Sequence, residues 1–292
     1  MPRNNRNILF AAFAGSVVAA LVLGIAFFFV FSLTEQGETA VSGSIEVGAP
    51  LCYSDALAAV ARGFRSYYPG ADIGIREDEG NRLLAAFAAS GIQGVLLDGP
   101  LSEDERNWLA QKRLLYGEEL VGRDAAVFVV NQSHSLNVMD MQEIFAAQLY
   151  VDRDALRFHR IFLGVTAPGA DTLDAIPLES SRGLLEHLLS DSLAIGIMPF
   201  SQFTRLTSEH GWQDNLRMLG VRNAEGDDIV LPSRTTVFHG SYPLSYAVAY
   251  LYNRNSPLAA GFGAWLYRQG QKGFARSSLV PAREPSRTIK LN

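Results

Sequence analysis

The sequence predicts an α/β domain with a mostly parallel sheet, set behind one N-terminal transmembrane helix. Three observations carry that expectation. Short apolar runs alternate with helical patterns along the chain, which calls for right-handed crossovers and parallel strands. Gly94 to Glu105 reads as a strand, a tight Asp-Gly-Pro loop and a capped helix, because Ser102 stands three residues before Glu105 in capping-box spacing. Ile8 to Leu33 holds 26 residues without one charged side chain, and about 20 apolar residues suffice to cross a bilayer core.

The apolar run is too long for the apolar centre of a secretory signal, and Thr34 to Ala40 offers no convincing small-residue cleavage site. An uncleaved anchor is therefore expected. Arg3 and Arg6 precede the run while Glu35 and Glu38 follow it, so the positive-inside rule leaves the N-terminus in the cytoplasm and the remainder outside. The expected organisation is a cytoplasmic stretch at 1–7, an anchor at 8–33 and a polar tether at 34–43. That gives a single-pass protein of the inner membrane with an extracytoplasmic domain.

The chain carries 25 Lys and Arg against 30 Asp and Glu, a net charge of −5, and setting Arg3 and Arg6 aside makes the part after the run −7. Such a balance argues against a nucleic-acid partner. Cys52 is the single cysteine, so no internal disulfide can form and the core must hold the fold. C-x-x-C, H-E-x-x-H, G-x-S-x-G and P-loop motifs are missing, and the five histidines are scattered at 134, 159, 187, 210 and 239. No catalytic residue, metal ligand or cofactor is expected.

Ser44 to Gly48 alternates like a strand, and Ser54 can cap a helix that carries Leu57, Val60, Ala61 and Phe64 before Pro69 ends it. Ala71 to Ile75 is a second strand and Asn81 to Ser90 a second helix; the charged loop Arg76 to Gly80 lies between them, on the same rim as Asp98. After the helix Ser102 to Lys112 come strands at Leu114 to Val121 and Ala125 to Asn131, the latter apolar throughout as in a strand buried on both faces. Asp140 and Met141 are expected to open a helix through Ile144 and Phe145, and His159 to Val165 to form a strand. Ser180 to Leu189 is a helix, Leu193 to Met198 a strand, and Leu216 to Val221 and Ile229 to Leu231 short strands. Tyr242-Pro243-Leu244 leads into a strand at Ser245 to Tyr252, and Leu258 to Gln271 is a helix with Phe262, Trp265 and Leu266.

Seven pieces of this order resemble the phosphate-binding subgroup of periplasmic solute-binding proteins, the two-lobed receptors of ABC importers. They are the opening strand Gly43 to Gly48, Tyr67-Tyr68-Pro69, Leu97-Asp98-Gly99-Pro100-Leu101-Ser102 with its Glu-rich helix, and Ala126 to Asn131 with Met141 to Phe145. Ala194 to Ile197, Tyr242 to Ser245, and Gly270-Gln271 with Val280-Pro281 complete the set. The resemblance, over roughly 43 to 282, implies a two-lobed (type II) fold, with lobe one at 44–122 and 255–292 and lobe two at 123–254. It also implies a solute, phosphate-like or altered, in the inter-lobe cleft, an ABC permease as a membrane partner, and no enzymatic activity.

The ligand loops depart from the family pattern. Ala49-Pro50-Leu51-Cys52 stands in place of a Gly-Ser-Ser-Thr-like loop, Asp78 to Asn81 in place of a Gly-Ser loop, and Ser180-Ser181-Arg182 is the nearest substitute for Ser-Gly-Thr. Asp98 is the recognisable survivor, as a ligand acceptor or as a cap for the turn near Leu101 and Ser102. The residues expected to line the site are Ser54, Asn81, Asp98, Ser102, Ser181 and Arg182. With Asp78, Glu79 and Asp98 sharing a rim, weak phosphate binding is expected, and the alternative is an interaction or sensor module that kept the fold and lost the ligand.

Overall fold

The computed structural model describes residues 37–170, 172–222 and 228–285. The chain divides into two units, Met1–Glu38 and Thr39–Asn292, and the second carries the fold. The expected membrane anchor lies outside the described residues, and among the described residues no helix is long and apolar enough to cross a membrane.

The first half runs β1 (Gly43–Ala49), α1 (Leu51–Tyr67), β2 (Ala71–Glu77), α2 (Gly80–Ala88), β3 (Gly94–Asp98) and α3 (Glu103–Gln111). β1 pairs in parallel with β2 and β3, as strands joined by helices must. All five residues of β3 are buried, the pattern of a strand covered on both faces. The cap of α1 falls four residues before the expected Ser54, at Pro50, whose φ of −58° already suits a helix start. Ser54 therefore lies inside the first turns, where its hydroxyl donates back to the Leu51 carbonyl.

β4 (Tyr116–Asn131) is one strand of 16 residues, where two were expected. Gly122-Arg123-Asp124 looks like a break in sequence, but the ladder continues because these residues pair with a strand from the far end of the chain. After β4 come β5 (Val138–Asp140), β6 (Leu149–Asp152), α4 (Leu156–Thr166), β7 (Ala175–Leu178), α5 (Ser181–Ser190), β8 (Ile195–Pro199) and α6 (Phe200–His210). The chain closes with β9 (Leu216–Met218), β10 (Gly220–Arg222), β11 (Ile229–Val230), α7 (Arg234–His239), β12 (Ser245–Asn253), α8 (Pro257–Tyr267), α9 (Gln271–Phe274) and β13 (Val280–Pro281).

The strand order is β2-β1-β3-β12-β4-β8-β6-β7. β12 is antiparallel to β3 and to the first part of β4, with partners from Tyr116 to Ala125. From Ala126 to Val130 β4 instead pairs with β8. β4 thus belongs to both sheets and hands over between Ala125 and Ala126, which gives the mixed α/β, two-lobed architecture. The main core extends from Phe64 through Phe128 to Phe162, and a smaller cluster around Leu83, Phe87, Leu97, Leu109 and Leu251 seats α2 and α3. α8 returns to lobe one, where Phe262 and Trp265 meet Phe64 edge-on at 5.3 and 5.5 Å.

Two further expectations are corrected, and one helix is new. His159 to Val165 is helical, as part of α4. Phe158, Ile161, Phe162 and Val165 follow i, i+3, i+4, i+7 spacing, a period that a window opened at His159 truncates. Asp140-Met141 opens no α-helix; β5 ends at Asp140 and Ile144–Ala146 is a single 3₁₀ turn. α6 was not anticipated, although Phe200, Phe203, Leu206 and Thr207 are buried at helical spacing.

Candidate functional site

The carboxyl ends of the parallel strands and the helix starts that follow them converge on a cleft of about 380 Å³ between the lobes, where ligands bind in open α/β sheets. Lobe one contributes Glu77, Asp78, Glu79 and Asp98, and lobe two contributes Asp152, Asp154 and Glu179, with Arg82 the basic lining residue among the described residues. Arg82 Nε is held 3.0 Å from Asp78 Oδ1. Pro50, Leu51, Cys52, Ala155, Phe158 and Pro199 add an apolar wall.

Asp98 ends β3 and is 7% exposed. The turn behind it needs glycine, because Gly99 has φ +75° and a Cβ there would come within 2.5 Å of Ile161 Cδ1. Burial pushes the Asp98 carboxyl up to about 7, against the opposing pull of Arg157. Arg157, on α4 and 3% exposed, reaches from lobe two into this turn. Its Nε donates to the Asp98 carbonyl at 2.8 Å, its Nη2 to the carbonyls of Pro100 and Gly99 at 2.8 and 3.3 Å, and its Nη1 to Glu105 Oε1. Nε also lies 3.3 Å from Asp98 Oδ1, yet that oxygen accepts no hydrogen bond.

The capping box gives Glu105 two roles. Its Oε2 accepts from Ser102 N while Ser102 Oγ accepts from Glu105 N, and this fixes the carboxylate so that Oε1 faces Arg157. Arg160, one turn along α4, donates to Asn81 Oδ1 and lies 3.6 Å from Glu105. α4 thus clamps lobe two to α2, β3 and α3 of lobe one. A second tie sits at the sheet handover. Asp124, fully buried, accepts from Tyr53 Oη at 2.9 Å, from Ser201 N at 3.0 Å and from Ser201 Oγ, which joins α1 to α6. Burial lifts its carboxyl to about 6, and these hydrogen bonds oppose the rise.

A helix start attracts anions through its free N–H groups, but here the chain supplies its own acceptors. At α2, Glu79 Oε2 takes the N–H groups of Asn81 and Arg82. At α5, Ser180 Oγ takes Gly183 N; at α6, Asp124 takes Ser201 N. The cleft is consequently rich in acceptors, while the start of α1, also in its lining, carries no side-chain cap.

Of the residues singled out in sequence, Asp98 and Ser181 meet in this cleft, and Ser181 Oγ donates to Asp152 Oδ2 at 2.6 Å. Asn81 stands beside it with its amide oxygen engaged by Arg160. Ser54 is buried within α1. Ser102 caps α3 and borders a separate hollow of about 430 Å³ between α3 and α4. The Arg182 side chain is 61% exposed and lies along its own helix against Glu186. Sequence reading missed Arg157, Arg160, Asp152 and Glu179; the helical period around Phe158 was the signal for the first two. Among the described residues no three His, Cys, Asp or Glu side chains are grouped to hold a metal ion.

No family model matches the sequence, and a comparison with curated proteins finds no match. Solved structures do match. A putative phosphate ABC transporter substrate-binding protein with bound phosphate from Clostridium perfringens is 14% identical over 82% of this chain and 100% of its own, with a TM-score of 0.65. An ABC-type phosphate transport receptor from Vibrio cholerae is 11% identical over 82% and 100%, with a TM-score of 0.63. A full-length OxyR variant from Pseudomonas aeruginosa is 14% identical over 87% and 79%, with a TM-score of 0.60. The chain shares the two-lobed fold of phosphate-binding-type solute receptors, a fold that also matches the OxyR variant.

Proposed function

We propose that this protein is a membrane-anchored extracytoplasmic solute-binding protein that holds a small solute in its inter-lobe cleft and works beside a membrane partner such as an ABC permease. The observation that carries the reading is the convergence of strand ends and helix starts from both lobes on the buried Asp98, in a cavity of solute size. The likeness to substrate-binding proteins of phosphate transporters and the Arg-before, Glu-after flanks of the apolar run support it. Ser181 and Asp98 are the lining residues it relies on.

The test is a thermal shift of the full chain in non-ionic detergent against inorganic anions, amino acids, sugars and amines. A solute at 100 times its dissociation constant adds about 2.7 kcal/mol, or about 5–11 °C for a domain of this size. The reading expects such a shift for at least one solute, and its loss in Asp98→Ala. Protease added to spheroplasts is expected to digest the domain; a soluble product beginning near residue 40 would contradict the anchor.

The second reading is a ligand-free interaction or sensor module near the bilayer. The Arg157 and Arg160 clamp favours it, because the lobes are tied together without a solute. Absence of a shift with every solute, together with capture of a membrane partner by crosslinking, would support this module.

A further inference from the structure

We propose that the two lobes rest closed without a solute, latched by Arg157 and Arg160, and that withdrawal of α4 from lobe one is the step that opens the cleft. This device goes beyond the solute-binding reading, since it acts whether or not a solute binds.

The faces of α4 have different partners. Phe158, Phe162 and Leu163 are buried, and Phe162 meets Phe128 of β4 edge-on at 6.0 Å, so this stripe roots the helix in lobe two. Arg157, Arg160, Ile161 and Gly164 follow i, i+3, i+4, i+7 spacing along the face turned to lobe one. Along that face lies the hollow of about 430 Å³ between α3 and α4, and a Cβ added at Gly164 would meet nothing within 4 Å. The later part of α4 thus has open space beside it, and its start carries the polar hold on lobe one.

That hold is directional. The Arg157 guanidinium, 3% exposed, crosses to the carbonyls of Asp98, Gly99 and Pro100 and to Glu105. Arg160 reaches Asn81 and lies beside Glu105, and Ile161 Cδ1 packs over Gly99. In hinged receptors the lobes close around a ligand; here a side chain of lobe two makes the bridge itself. Arg157 Nε lies 3.3 Å from Asp98 Oδ1, so the carboxylate at the end of β3 has its counter-charge before any solute arrives. At the other end of the lobe boundary, the handover of β4, Asp124 joins Tyr53 of α1 to Ser201 of α6 and serves as the pivot. A solute that enters only between parted lobes binds in proportion to the open fraction, so the latch sets apparent affinity as well as shape.

Cys52 lines the cleft and is the single cysteine, which makes it a reporter of opening in the full chain in non-ionic detergent. Arg157→Met is expected to raise the iodoacetamide labelling rate at Cys52 by about tenfold or more. Charge alone would act the other way: burial and then the Asp98 charge already raise this thiol, and an Asp98 without Arg157 would raise it further. Arg160→Gln, at a side chain 52% exposed, leaves the fold in place and is expected to speed labelling by a smaller factor. Amide hydrogen exchange separates opening from unfolding. Protection is expected to fall at 98–102 and 156–161 and to hold at 83–87 and 126–130. Unchanged labelling in Arg157→Met, or in Arg160→Gln where Arg157→Met does not fold, would overturn the latch. Loss of protection at 83–87 and 126–130 alongside the latch segments would also overturn it, by reducing the arginines to a role in global stability.

Discussion

Arg157→Met removes the inter-lobe clamp while keeping most of the side-chain volume. In the folded protein the guanidinium is 3% exposed and serves four acceptors, three of them main-chain carbonyls and one the Glu105 carboxylate, with the Asp98 carboxylate alongside. The variant strands Asp98 in a dry environment without its counter-charge and leaves Glu105 with Arg160 at 3.6 Å alone, a change that costs about 3–5 kcal/mol in buried pairs. At about 2–4 °C per kcal/mol for a domain of this size, the melting temperature of the full chain is expected to fall by about 6–20 °C. Glu105→Gln in the same background separates charge from packing, because Gln still completes the capping box with Ser102. The double variant is expected to be more stable than the sum of the single losses by about 1 kcal/mol or more. A fall below about 2 °C in Arg157→Met, or strict additivity in the double variant, would show that the clamp contributes nothing and refute the reasoning.

The pH dependence of Asp98 and the chemistry of Cys52 give two further tests. Burial holds the Asp98 carboxyl at about 7 when folded against about 3.9 when unfolded, so the folded state binds this proton more tightly. Its contribution is fully present below about pH 4 and is lost as pH rises through about 7. Asp98→Asn is therefore expected to flatten the fall in melting temperature between those limits, and an unchanged slope would contradict the assignment. Burial, then the Asp98 and Asp124 charges, raise the Cys52 thiol well above its usual range, which makes a poor nucleophile. Iodoacetamide is expected to label it more slowly than a free thiol, and Cys52→Ser to shift melting by no more than a few degrees; fast labelling would reveal a reactive site.

The parts of the fold legible in sequence were those set by local chemistry. The turn at Asp98-Gly99-Pro100 and the Ser102–Glu105 box could be named because both depend on residues within a few positions of each other. The helix that matters most to the site could not. α4 reads as a strand when its period is sampled from His159 onward, and that misreading puts Arg160 on a supposed strand and leaves Arg157 outside any element, where no clamp could be imagined. Their partners Asn81, Asp98 and Glu105 lie more than fifty residues away in sequence, and no local pattern records such a pairing. The same holds for Asp124, which looked like the gap between two strands and is the point where one strand passes from the first sheet to the second.

The departure at Asp78 to Asn81 has a direct physical consequence at the helix start that follows it. A helix start is a fixed array of N–H donors, and its effect on a ligand depends on what already accepts from it. A small neutral loop leaves those donors to an incoming anion. Glu79 at α2 and Asp124 at α6 fill them with carboxylates of the chain itself, and Glu79 leaves its second oxygen buried without a hydrogen-bond partner. Each such substitution therefore changes the cleft twice, by cancelling a donor and by adding an acceptor. The strands that present the site need not move for this, since β1, β2 and β3 keep their parallel register regardless of which residue caps the next helix. The charge lining the cleft is thus set by residues at its helix starts, separately from the strands that carry them.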